Sequence, residues 1–285
     1  MAKKKETKQP EPKKKKSSLS WKVAKGVGKG IWFLMKTPYY VGKGIYKISK
    51  YTGQKVQESS EKKQVKEKRE SMKPVYEEFR LIHLIDGDFS GWEDSVNKSD
   101  SKIGVILGAR GSGKTAFGVK FLENSRAKHN TKCYAIGFNA KEMPDWITVV
   151  QNIEELGNDS MVLIDEGGVL FNSRDSMSNA NKLLGDLILV ARHKNLTILF
   201  ISQNSSNLDI NILRQADFLV LKPSSLLQRN FERKIIQNIY EGAQENFANF
   251  KDEPGITHIY AGEFNGFVSN PLPSFWGNKI SKSFR

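Results

Sequence analysis

Residues 108–115 read Gly108-Ala109-Arg110-Gly111-Ser112-Gly113-Lys114-Thr115, a glycine, four residues, then Gly-Lys-Thr. This spacing suits the capture of a polyphosphate. Glycines at 108, 111 and 113 let the backbone curl so that successive N–H groups face one anion, and a helix starting at the end of the loop adds its positive N-terminal potential. Lys114 is then the residue to reach the β and γ phosphates, and the hydroxyl of Thr115 the one to ligate Mg²⁺. The elements needed to aim these groups are also written in the chain. An apolar β-type run, Ile103 to Leu107, leads into the loop, and a helical pattern, Thr115 to Asn124, leaves it.

A second group of candidates lies further on. Met161 to Ile164 form an apolar run that reads as a buried parallel strand, and it ends in Asp165 and Glu166. A carboxylate at the C-terminal edge of such a strand can hold the Mg²⁺ shell, and a second can polarise the attacking water, so Asp165 is assigned to metal and Glu166 to hydrolysis. A third apolar run, Asn195 to Ile201, ends at Ser202 and Gln203; the Gln203 amide can donate to a γ phosphate and accept from a water. The helical stretch 181–194 before it carries Leu183, Leu184, Leu187, Ile188 and Ala191 on one face and finishes Arg192-His193-Lys194. Arg192 has two readings, a basic residue favourable at a helix C-terminus and an arginine finger inserted into a neighbour's site.

Together, GARGSGKT, MVLIDEGG, ARHKNLTILFISQ and ILRQADFLVLKPS resemble the HerA/FtsK branch of RecA-like motor ATPases, especially viral genome-packaging ATPases, over roughly residues 100–222. The resemblance implies an α/β fold of the RecA-like P-loop NTPase kind, a mainly parallel sheet flanked by helices. It also implies a homo-oligomeric ring, a hexamer, closed around double-stranded DNA, with ATP and Mg²⁺ as cofactors and translocation driven by hydrolysis. Arg214 is a second candidate finger. A resemblance to Zot-like assembly ATPases of filamentous phages points instead to a membrane-side motor that exports virions. A low-turnover nucleotide switch or scaffold is the third reading, and Glu166 and Gln203 speak against it.

Charge divides the chain. Residues 1–73 hold 22 Lys+Arg against 6 Glu, and residues 74–285 hold 23 against 25 acids, so the net +14 belongs to the N-terminal arm. The Lys-rich tail 1–18 lacks the apolar surface to offset chain entropy and reads as disordered. In residues 19–53, Lys22, Lys25, Lys29, Lys36, Lys43, Lys47 and Lys50 fall on one helical face and Val23, Val27, Ile31, Leu34, Val41, Ile45 and Ile48 on the opposite one. That pattern, with Trp21, Trp32, Tyr39, Tyr40, Tyr46 and Tyr51, suits an anionic membrane surface. Packing on the body, on a sister subunit or on a capsid protein, and binding of nucleic acid, stay open for residues 1–54. Residues 54–73 read as a charged linker, and the ATPase domain runs from 74 to 285.

Other classes are excluded or weak. No apolar run exceeds five residues, as at Ile31 to Met35, too short to cross a bilayer, so the chain reads as cytoplasmic, in a host cytoplasm if viral, or peripheral at the inner face of a membrane. Cys133 is the only cysteine, and His83, His129, His193 and His258 are too scattered for a zinc motif. Lys132 to Phe138, Trp146 to Val150 and Asp217 to Leu221 supply further β-type runs, and Ile256 to Ala261 with Glu263 to Val268 reads as a hairpin. The stretch Phe79 to Trp92, turning at Asp86-Gly87-Asp88, is a candidate extra strand. The polar stretch 171–181 reads as a solvated loop or a pore-facing segment, with Arg174 and Lys182 as candidate phosphate contacts.

Overall fold

The computed structural model describes residues 60–98, 101–165 and 188–277. Glu166, Arg174, Lys182, the stretch 171–181 and the arm 1–54 lie outside them. The chain divides into two compact units, Met1–Lys63 and Gln64–Arg285, and the second contains the whole sheet. It is the α/β fold expected, a mainly parallel sheet flanked by helices.

Nine strands, β1 (Arg80–Gly87), β2 (Lys102–Leu107), β3 (Lys132–Ile136), β4 (Ile147–Val149), β5 (Ser160–Asp165), β6 (Leu196–Ile201), β7 (Phe218–Leu221), β8 (Ile256–Ala261) and β9 (Phe264–Ser269), form one sheet among the described residues. Its order is β1-β9-β8-β7-β2-β6-β5-β3-β4. From β7 to β4 every pairing is parallel, whereas β8, β9 and β1 extend the other edge antiparallel. Strand β6 is interposed between the loop-bearing β2 and the acid-bearing β5.

The strands leading to the site are apolar on both faces because helices cover both. On one face Ile106, Leu163, Leu199 and Ile201 pack with Trp92 of α2 (Phe89–Lys98) and Phe117 and Phe121 of α3 (Lys114–His129), while a charged helix α1 (60–71) precedes β1. On the other, Val105, Leu107, Val162, Ile164, Ile198 and Phe200 meet Ile188 and Ala191 of the helix at 188–194 (α4), Ile212 of α5 (Ile210–Gln215), and Ile236 and Tyr240 of α7 (Lys234–Asn249). Alternate residues of one strand thus enter different cores, the period-two geometry of a strand acting on a continuous apolar run. A short helix α6 (Leu226–Asn230) precedes α7.

Helix α3 is buried on nearly every side and anchors both flanks of the unit. Lys120 and Glu123, both fully buried, pair at 3.0 Å. Glu123 accepts the Val75 N–H at 3.2 Å and the Ser274 N–H at 3.0 Å, and Asn124 bonds the backbone of Glu77 in both directions. The chain entering β1 and the chain leaving β9 are therefore held against the same helix. Among the described residues no helix is long and apolar enough to cross a membrane.

Candidate functional site

Loop 108–113 joins β2 to α3 at the C-terminal edge of the parallel strands, where ligands bind in folds of this type. Two backbone features require glycine. Gly108 has φ 147°, and a Cβ there would lie 2.6 Å from Cβ of Lys222; Gly113, the residue before α3, has φ 91°. The loop is tied to the next strand by the Lys222 N–H donating to Leu107 O at 2.8 Å and the Ala109 N–H to Pro223 O at 3.1 Å. Arg110 and Gly111 are exposed, Ala109, Ser112, Gly113 and Thr115 half-buried. Ser112 Oγ is buried with no hydrogen-bond partner among the described residues.

Lys114 is buried, and its ammonium donates to Gly108 O and Ala109 O, each at 2.8 Å. Burial pushes its pKa down to about 8, against the opposing pull of Asp165 and Glu232. The lysine thus lies in the fields of two carboxylates from different strands and loops. Register explains how Asp165 arrives there: Ile106, Ile201 and Asp165 lie level across β2, β6 and β5, so the β5 carboxylate emerges at the height of the loop.

Gln203 follows β6 and is exposed, and its backbone carbonyl accepts from the Gln228 side chain. Arg192 is exposed on α4, and Arg214 is exposed near the end of α5. The structure brings Lys114, Thr115 and Asp165 to one strand edge; among the described residues Arg192 enters no hydrogen bond or ion pair that ties it to them.

Two site residues escape sequence reasoning. Glu232 is buried; its Oε2 accepts the Ser205 N–H at 2.6 Å, and its Oε1 has no hydrogen-bond partner among the described residues. Burial raises its pKa, while Ser205 and Lys114 oppose the rise. It occupies a polar stretch, Gln228 to Arg233, that reads as surface. Lys222 is the other. It is fully buried behind the loop, and its ammonium donates to Asn270 Oδ1 at 2.6 Å, Gly255 O at 2.9 Å and Ile256 O at 3.3 Å. Burial pushes its pKa down to about 7, whereas three oxygen acceptors use all three N–H groups and so favour the charged form. A lysine at the end of a strand carries no sequence signal for such a role.

Among the described residues no group of three or more His, Cys, Asp or Glu is gathered to hold a metal ion. Mg²⁺ needs no such cage, because one or two protein ligands suffice when phosphates and water complete its shell. Thr115 at the start of α3 and Asp165 at the end of β5 fit that demand, since Asp165 acts electrostatically on the lysine of the loop.

The model of the Zot family, zonular occludens toxin, matches residues 136–222, from the end of β3 to Lys222 and thus beyond loop 108–113. Among solved structures the chain is similar to B204, the DNA-packaging ATPase of Sulfolobus turreted icosahedral virus, at 18% identity over 60% of this chain and 98% of that one, with a TM-score of 0.43. The genome-packaging NTPase B204 of Sulfolobus turreted icosahedral virus 2, in complex with AMPPCP, is similar at 16% identity over 61% and 100%, TM-score 0.44. A KaiC-like protein, PH0186 of Pyrococcus horikoshii OT3, is similar at 10% identity over 60% and 89%, TM-score 0.39. No curated protein sequence matches the chain.

Proposed function

We propose that this chain is an ATP-hydrolysing motor that translocates double-stranded DNA as a homo-oligomeric ring, of the kind that packages viral genomes. The observation that carries the ATPase part is the position of Lys114, in a glycine loop at the edge of a parallel sheet and within the fields of Asp165 and Glu232. A triphosphate offers this lysine stronger acceptors than the carbonyls of Gly108 and Ala109, so binding exchanges two neutral partners for charged ones. N–H groups of the loop and the first turn of α3 receive the remaining phosphate oxygens.

Thr115 and Asp165 would hold Mg²⁺, which when bound supplies positive charge against the phosphates. Glu166 is the residue assigned to polarise the attacking water, Gln203 to sense the terminal phosphate, and Arg192, with Arg214 as alternative, to reach a neighbouring subunit's site. A ring also fits the charge balance, because a body of net −2 gains a usable basic pore only when a few lysines are repeated around an axis. Residues 1–54 are the proposed contact with an anionic membrane surface or a capsid protein.

A second reading, a Zot-like virion-assembly ATPase at a membrane, is favoured by the family match over residues 136–222. Phosphate release by the full chain separates the two. Stimulation by double-stranded DNA, lost in Glu166→Gln, supports the packaging motor. Stimulation by anionic vesicles but not DNA supports the second reading, and no hydrolysis with either, at any nucleotide concentration, overturns both.

A further inference from the structure

Two apolar surfaces lie open to solvent at separate places on the chain. One is a ridge carried by α6 and the start of α7, where Leu226, Leu227, Phe231 and Ile235 are each between 65% and 72% exposed. Large apolar side chains clustered in this way mark a contact surface. Hydrogen bonds hold the ridge against the turn that follows Gln203. The Ser205 N–H donates to Glu232 Oε2 at 2.6 Å, Ser206 Oγ to Phe231 O at 2.6 Å, and the Arg233 guanidinium to Ser205 O at 3.0 Å and Leu208 O at 2.8 Å.

The other surface is β1. Among the described residues it is the edge of the sheet, paired only with β9, and it exposes Leu81, Leu84 and Ile85. An apolar edge strand left open is a template for association. Beside it lies a hollow of about 430 Å³ with buried Phe79 and Phe89 at its base, Leu81 and Leu84 at its side, and exposed Glu78 and Asp88 at its margin. The two surfaces also differ in charge. Residues 226–235 hold Arg229, Arg233 and Lys234 against one buried acid, Glu232, whereas residues 78–88 hold Glu78, Asp86 and Asp88 against Arg80, which already pairs with Glu253.

We propose that the ridge at 226–235 of one copy seats on the β1 hollow of the next, with its leucines and Phe231 against Leu81 and Leu84 and its cations facing Glu78 and Asp86. This rests on the ring reading and names the surfaces that close the ring. One copy cannot make the contact with itself. The ridge is fastened to the chain that follows β6, five strands from β1, which is roughly 24 Å at the usual spacing of about 4.8 Å. A contact between two unlike surfaces leaves one ridge and one hollow free at the ends, so head-to-tail repetition closes into a ring. The Gln228 side chain donates to Gln203 O, so seating the ridge ties the neighbour's edge strand to the residue assigned to sense the terminal phosphate.

Sedimentation velocity of the full chain with Mg-ATP tests it. Phe231→Asp disables the ridge and Leu84→Asp the hollow, and both side chains are exposed. Each variant alone should need a more than about tenfold higher concentration to assemble, as expected for loss of a buried apolar contact. An equimolar mixture should form a dimer and nothing larger, through the one intact ridge and the one intact hollow. In a second set, Lys234→Glu and Glu78→Lys should each weaken assembly, and the two in one chain should restore it to within about threefold of the wild type. The mixed dimer or the restored assembly supports the pairing. Absence of both, or single variants that assemble as the wild type does, overturns it and leaves the ring reading standing. A wild-type chain that stays monomeric at every concentration, with nucleotide and DNA present, overturns the ring reading itself.

Discussion

Lys114 and Lys222 flank the same loop, both buried, yet they belong to differently built regions. Lys114 opens α3 within the parallel half of the sheet, and its partners are carbonyls five and six residues away in its own loop. Lys222 stands at the seam where β8 and β9 join antiparallel, and its partners lie 33 to 48 residues further along the chain. Among the described residues the first keeps a spare N–H and weak neutral acceptors, so it can be drawn to an anion. The second is saturated by three oxygens and holds β7, β8 and the tail together. Burial of a lysine therefore does not identify a functional group; the range and number of its acceptors do.

If that contrast holds, the two residues respond oppositely to substitution. Lys114→Ala should lower ATP turnover by about 10²- to 10³-fold, the range for losing one preorganised charged donor, while its urea midpoint stays level or rises because a desolvated cation is removed. Lys222→Met should lower stability by about 1–3 kcal/mol in urea unfolding, since it removes three buried hydrogen bonds, to Asn270 Oδ1, Gly255 O and Ile256 O, of which the first two keep Thr257 Oγ1 as a donor. Equal stability losses in the two variants would erase the distinction.

The pH response of nucleotide binding sharpens it further. With its pKa lowered to about 8 in the free protein, Lys114 loses its charge as pH rises through that value. A bound triphosphate favours the charged form and raises the pKa, so binding takes up a proton above about pH 8. ATP affinity should be flat below about pH 7.5 and fall by up to about tenfold per pH unit above about 8. Titration calorimetry in buffers of different ionisation enthalpy reads the proton directly, and an affinity independent of pH between about 7 and 9.5 contradicts the assignment of Lys114.

The smallest effect concerns base choice. Ser269 Oγ donates to Pro254 O, and the Asn270 amide oxygen accepts from Lys222 and Thr257 while its nitrogen donates to Pro271 O, so the cleft beside the loop offers a nucleotide mainly apolar surface. ATP and GTP should bind within about tenfold of each other, because unpaired polar groups, which give strong discrimination, are few there. A preference above about a hundredfold would require a base-reading group elsewhere.

The strand preceding the loop, the loop itself, the acid strand, the hairpin at 256–268 and the first part of the candidate strand Phe79 to Trp92, which is strand only to Gly87 and helix from Phe89, are legible because each is written in contiguous residues: an apolar run, a glycine spacing, or two β-type runs around a turn. Glu232 and Lys222 are not, since each acquires its meaning from partners that the chain brings from tens of residues away. Glu232 meets Ser205 across the polypeptide, and nothing in Phe231-Glu232-Arg233 records the meeting.

From the sequence alone come the glycine loop with Lys114 and Thr115, the acid at 165, the parallel α/β character and the concentration of positive charge before residue 74. Local backbone preference, two-residue side-chain alternation and simple counting are enough for these. Only the tertiary structure decides that β6 lies between loop and acid, that a buried lysine ties the loop to the antiparallel edge, and that residues 269–272 line a cleft beside the glycine loop. Those depend on strand order and on hydrogen bonds closed over long loops, which no window of neighbouring residues encodes.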